Sequence, residues 1–175
     1  LSGVLNLDAA LALVAARGRA MQAAPAGAML SVQLSADALE PYLGDGVELA
    51  AINAPKLCVA SGRGAAIAAL AERLGADGHV CQRLQVSHAF HSALMEPALQ
   101  PFAAVLERHA FGRPEIPYVG NLTGTWVSED EARDPNTWLH QLREPVRFAD
   151  GVRQILEDHP DAIFLEVGPG QALVQ

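Results

Sequence analysis

The sequence predicts an α/β fold, and three observations carry the prediction. Short β-rich runs alternate with helical ones between residues 28 and 84, apolar residues recur at spacings of three and four on either side, and an apolar run near residue 167 ends in a glycine-proline-glycine turn. Asn6 is placed to cap a first helix running through Asp8, Leu11, Val14, Arg17 and Met21. Its side chain accepts from N–H groups that the first turn leaves without partners, and Asp8 suits the positive end of the dipole. Pro25 and Gly27 stop this helix. AMLSVQL (28–34), ELAAIN (48–53), LCVAS (57–61) and HVCQRL (79–84) read as strands, joined by helices at 36–43 and 64–75. The order β-α-β-β-α-β is that of a ferredoxin-like split βαβ unit of about sixty residues. From Ala93 to His109, Leu94, Met95, Leu99, Phe102, Val105 and Leu106 repeat with helical spacing, and Pro97 and Pro101 are expected to bend or interrupt the helix. A short strand around Ile116–Gly120, a loop NLTGTW and an acidic stretch Glu129–Asp134 follow. A helix from Pro145 or Phe148 to Glu157 then leads to a strand AIFLEV ending in Gly168-Pro169-Gly170, with another helix expected after it. No repeat or low-complexity segment occurs. Both ends read as cut through helices.

Composition narrows the function. The 175 residues suffice for one domain carrying a small subdomain, and half of them are apolar. Twelve Lys and Arg against twenty Asp and Glu give a formal charge of −8, which argues against nucleic acid as the main partner. The longest stretch poor in charge, Gly18–Leu34, is broken by Gln22, Pro25 and Gly27 and is no membrane span. The opening LSGVLNLDAAL lacks the basic and apolar regions of a secretory signal, so a cytoplasmic location is expected. Cys58 and Cys81 match no zinc or redox spacing and are expected to be buried free thiols.

The residues richest in chemical possibility lie in Val86-Ser87-His88-Ala89-Phe90-His91-Ser92, a turn between a strand and a helix. A histidine at that position feels the positive end of the helix dipole, which lowers its pKa and keeps the ring neutral, as a general base requires. A histidine there can equally cap or pack the helix start. HxxH as a metal pair lacks a third ligand nearby. Arg17 shares a helix face with Leu13, Val14 and Met21, where a guanidinium is costly without a carboxylate or phosphate to grip. That group is either a ligand or one of the chain's own acids. Gly168-Pro169-Gly170 lacks the remaining features of a phosphate loop and reads as a tight turn, and no GxSxG nucleophile elbow occurs in the 175 residues.

Taken together, LDAALALVAARGRAMQ, GAML, AAINAP, SHAFHSALMEPAL, GNLTGTW, QLREPVRFADG and LEVGPGQAL resemble, in order, the acyltransferase domain of modular type I polyketide synthases and, more distantly, the malonyl-CoA:acyl carrier protein transacylases. The resemblance implies part of an α/β-hydrolase-like acyltransferase subdomain, residues 1–26 and 87–175, with a ferredoxin-like subdomain inserted at 27–86. It implies ping-pong acyl transfer, in which a GHSxG serine takes an acyl group from acyl-CoA and passes it to the phosphopantetheine thiol of an acyl carrier protein. By motif match His91 is the general acid/base, a main-chain carbonyl at Gln141 orients it, and Arg17 binds the free carboxylate of a malonyl group. His88 and Phe90 complete the HAFH form associated with malonyl selectivity. Methylmalonyl-selective relatives commonly carry YASH there, and the bulk of Phe90 would crowd an α-methyl group. Malonyl-CoA, acyl carrier protein and a neighbouring ketosynthase domain are the implied partners. No metal or bound cofactor is implied, since acyl-CoA and phosphopantetheine are substrates.

The resemblance aligns Leu1 with sequence that follows the elbow, so the chain reads as the C-terminal portion of such a domain, without nucleophile. A discrete transacylase of fatty-acid synthesis and a non-catalytic platform for carrier protein or acyltransferase docking are the alternatives. Alone, the 175 residues are expected to be inactive and either poorly soluble or partly molten. A cooperative melt with low dye binding would contradict the latter.

Overall fold

The computed structural model describes residues 2–168. Helix α1 (Leu7–Gln22) starts at Asn6, whose side chain accepts from Ala9 N–H at 2.8 Å, as its residue type and position lead one to expect. Strand β1 (Ala28–Val32), helix α2 (Ala36–Leu39), strands β2 (Val47–Ala54) and β3 (Leu57–Gly62), helix α3 (Gly64–Ala76) and strand β4 (Cys81–Arg83) follow in the anticipated order. The helix expected over 36–43 is shorter, because Pro41 turns its second half into a 3₁₀ turn over Glu40–Tyr42. The strands form one antiparallel sheet in the order β2-β3-β1-β4.

The two faces of this sheet are different environments. On one, Leu30, Val32, Cys58 and Ala60 pack with Leu39 of α2 and Ile67, Leu70 and Leu74 of α3. On the other, Met29, Ala50, Ala51 and Val59 meet Leu84, Phe90 and Val146. Register shifts between Leu49 and Ala51 and between Ile52 and Ala54 break the alternation of β2, so neighbouring Ala50 and Ala51 are both buried. Cys58 is buried and Cys81 only half-buried; both stand opposite Val32, one on each side of β1. Two strand spacings, roughly 10 Å, separate them, too far for a disulfide.

A second core joins α1 to α4 (Glu96–Leu106): Leu13 and Ala16 pack on Ala98, Phe102 and Leu106, with Leu142 and Met95 closing the cluster. A 3₁₀ turn over Ala93–Met95 leads into α4. Pro97 sits in its first turn, where a missing N–H costs nothing, and Pro101 is accommodated inside it. Helices α5 (Glu129–Arg133), α6 (Pro135–His140) and α7 (Phe148–Asp158) complete the elements. The acidic stretch is α5, opened by a capping box between Ser128 and Glu131.

Three expectations are corrected. Ile116–Gly120 is no strand: it makes one isolated bridge, Val119 to Trp126. Residues 162–167 pair with no strand among the described residues, and Ile163 and Val167 stand 96% and 88% exposed. Their apolar run reads as a strand, but an extended segment becomes one only when a neighbour takes its N–H and C=O groups. Finally, the apolar stripe of α1 is split. Leu13 is 5% exposed against α4, whereas Val14 is 70% exposed, and Leu7 and Leu11 are exposed with it. The helix expected after Gly170 lies outside the described residues.

Gly27 fixes how closely the chain leaving α1 approaches the turn before α4. Its N–H donates to Ser87 O at 3.0 Å, and a Cβ there would stand 2.5 Å from Ala89 Cβ and 2.8 Å from Ala89 N. Gly27→Ala should therefore destabilise the fold by about 1–3 kcal/mol, read as a lower urea midpoint. An unchanged midpoint would show that the turn shifts freely.

Candidate active site

The turn at residues 87–92 is built so that one imidazole points away from its own loop. Ser92 Oγ donates to Ala89 O at 2.7 Å and accepts from Leu94 N–H at 3.3 Å, closing the turn on itself. His91 within it has φ +56°, a left-handed conformation that costs a residue with a Cβ about 1–2 kcal/mol. Such a cost persists where surrounding contacts fix the backbone, and it is concentrated at functional sites. His91 Nδ1 lies 2.9 Å from Glu144 O. A carbonyl can only accept, so Nδ1 carries the proton, and the neutral ring presents the Nε2 lone pair.

The carbonyl that holds His91 is thus that of Glu144, not of Gln141. Gln141 still belongs to the last turn of α6, its N–H bonded to Thr137 O at 3.3 Å. Glu144 precedes Pro145, which ends the helical path and leaves the Glu144 carbonyl free to face outward. Gln141 reaches the site through its side chain instead: Oε1 accepts from Arg17 Nη1 at 3.4 Å.

Arg17 projects from the half-buried flank of α1 into a cavity of about 240 Å³ that is also lined by Leu13, Val14, Phe102, Trp138 and Gln141. Among the described residues no carboxylate lies within ion-pair distance of it, so an internal acid is not its partner. Burial lowers its pKa from the usual arginine range. The His91 pKa is lowered from 6.5, first by burial and further by the Arg17 charge, while the bond to Glu144 O works in the opposite sense. That direction favours the neutral imidazole near pH 7, with burial and the Arg17 charge as its causes.

His88 and Phe90 form the inner wall of the same turn. His88 is buried, its Nδ1 2.8 Å from Ser87 Oγ, and its ring stacks on Phe90 with centroids 6.0 Å apart. Phe90 packs against both the α1–α4 core and the inner face of the sheet. Glu144 and Glu48, whose Oε1 accepts from Ala93 N–H at 2.8 Å, are site residues that the sequence reading did not single out.

An α/β domain that sets an imidazole, held by a main-chain carbonyl, within the field of a guanidinium that has no carboxylate partner among the described residues has the elements of an acyl-transfer site. The chain belongs to the acyl transferase domain family, whose model matches residues 2–175. It is 47% identical over 174 residues to the mycoketide-CoA synthase of Mycobacterium tuberculosis, covering 99% of this chain and 4% of that protein. The acyltransferase domain from the second module of the salinomycin polyketide synthase superposes with a TM-score of 0.92 at 44% identity, over 98% of this chain and 41% of that one. The acyltransferase domain of SpnD, in complex with 2-(pent-4-yn-1-yl)malonyl, superposes with a TM-score of 0.93 at 37% identity, over 98% of this chain and 42% of that one. The chain therefore spans about two-fifths of these solved domains and a small fraction of the curated synthase.

Because Arg17 disfavours the imidazolium, Arg17→Ala should move the His91 titration midpoint upward toward 6.5. Histidine ring resonances followed by NMR against pH read this directly. An unmoved midpoint would leave burial as the whole cause.

Proposed function

We propose that this chain supplies the base and the carboxylate clamp of a polyketide-synthase acyltransferase that takes a malonyl group from coenzyme A and delivers it to an acyl carrier protein. The observation that carries the reading is the pairing of His91 Nδ1 with Glu144 O, which leaves Nε2 as a base beside Arg17. In the proposed reaction a serine from outside the 175 residues attacks the thioester carbonyl, its proton passing to His91 Nε2. The imidazolium returns that proton to the departing coenzyme A sulfur, leaving an acyl-serine ester. The phosphopantetheine thiol then attacks the ester by the same exchange. Arg17 holds the free carboxylate of the acyl group throughout, its two terminal nitrogens matching the two oxygens. The malonyl derivative on the SpnD domain supports a substrate of that class.

In this reading residues 27–86 are an inserted ferredoxin-like subdomain, 1–26 and 87–175 belong to a hydrolase-like one, and the site lies where they meet. Phe90, with His88 behind it, is the selectivity wall, crowding an α-methyl group for a discrimination of about 1–3 kcal/mol. A ketosynthase domain is the proposed neighbour, and the 175 residues alone are proposed to be inactive.

The test is the intact mass of a complete acyltransferase domain carrying these 175 residues, after brief exposure to malonyl-CoA or methylmalonyl-CoA. A malonyl adduct is expected, lost or slowed about 100-fold or more in His91→Ala and weakened in Arg17→Ala. A preference for methylmalonyl would overturn the role of Phe90 alone. No adduct from either donor, with the domain folded, would favour a docking platform instead.

A further inference from the structure

We infer that Glu48 is a positioning residue for His91, tying the turn that carries the imidazole to the strap that carries its carbonyl partner. The inference rests on the reading of His91 as the base. Glu48 lies on β2, and its two carboxylate oxygens serve different segments. Oε1 accepts from Ala93 N–H at 2.8 Å, and Oε2 accepts from Arg143 Nη2 at 2.6 Å. Ala93 follows His91 by two residues and Arg143 immediately precedes Glu144. One side chain therefore grips both sides of the His91–Glu144 hydrogen bond.

The two sides are not equally secured without it. The strap is also bound to β2 through its main chain, Val146 N–H donating to Ala50 O at 2.9 Å and Ile52 N–H to Val146 O at 2.8 Å. The bonds of Ser92 close the histidine turn internally but do not orient it toward the strap. Glu48 Oε1 links the turn to the same strand, one residue beyond Ser92, where a left-handed His91 must be kept from relaxing. The Arg143–Glu48 pair is half-buried, at 22% and 34% side-chain exposure, and is less screened than the exposed pairs elsewhere on the chain. Arg143 Nε also faces Glu96 at 3.7 Å, a longer and more exposed contact.

The experiment uses a complete acyltransferase domain carrying these 175 residues, with ¹⁵N-labelled histidine, and long-range ¹H–¹⁵N correlations assigned by His91→Gln. Wild-type His91 should show one neutral tautomer, with the proton on Nδ1. Glu48→Ala should shift the ring toward a mixture containing the Nε2–H form. Glu48→Gln, which keeps an oxygen for Ala93 but loses the charge that grips Arg143, should give a smaller shift in the same direction. Malonyl loading should fall about 10- to 100-fold in kcat for Glu48→Ala, with KM unchanged. Glu129→Gln, which breaks an exposed helical pair with Arg133, should change neither readout. If Glu48→Ala does not fold, Glu48→Gln decides. A ring that keeps Nδ1–H in the folded Glu48 variants overturns the inference while leaving the base assignment intact. A wild-type ring with no preference for Nδ1–H overturns both.

Discussion

The hydrogen bond from His91 Nδ1 to the Glu144 carbonyl joins residues 53 positions apart, and the packing of the site can be read as what is needed to hold its two ends in place. The imidazole end is carried on a left-handed residue in a self-closed turn, pressed against Gly27 on one side and tied to β2 on the other. The carbonyl end sits on a strap that leaves α6, passes Pro145 and pairs with the outer edge of β2 through Val146. Strand β2 thus serves both ends. The irregular register of that strand, which buries Ala50 and Ala51 together, belongs to the segment that meets the strap. A carbonyl rather than a carboxylate orients the ring. The imidazolium formed in the proposed reaction is stabilised by a dipole and opposed by Arg17.

Much of the fold was legible because its signals are local. Asn6 before an apolar period marked α1, and short β-rich runs bounded by turn residues marked the four strands. What local signals missed was decided by partners. Residues 162–167 are an apolar run that reads as a strand, but no strand pairs with them among the described residues. Val14 shares the period of α1 with Leu13, yet α4 covers only the side where Leu13 lies. Periodicity marks which residues are apolar on a helix, not how wide a face its neighbour will cover.

The site divides in the same way. His91 and Arg17 stood out because a histidine in a strand-to-helix turn and an arginine on an apolar face each conflict with their surroundings. Glu144 did not, because its contribution is a main-chain carbonyl and is indifferent to its side chain. The neighbouring Pro145 was the available signal, since it marks where a helical carbonyl path must end. Gln141 was assigned the wrong atom: the carbonyl on His91 is that of Glu144, whereas the Gln141 amide oxygen faces Arg17. Glu48 was hidden in a strand that reads as ordinary alternation, and its importance arises only when residues 93 and 143 fold around it.

The neutral partner of Arg17 connects binding to basicity. A carboxylate from the chain would satisfy the guanidinium and cancel its field at His91; the Gln141 amide oxygen, 3.4 Å away, orients it while leaving the charge uncompensated. In the free site that charge lowers the affinity of His91 for a proton. When a substrate carboxylate takes its place on Arg17 in the proposed reaction, the field at His91 is largely neutralised and the ring becomes a stronger base, with the acyl group already in place. The coupling is the one that Arg17→Ala isolates from the other side, since removing the cation and pairing it act on the imidazole with the same sign. In the proposed reaction the one charge therefore has two consequences: it fixes the acyl group, and it leaves the imidazole weakest as a base when no acyl group is there to react.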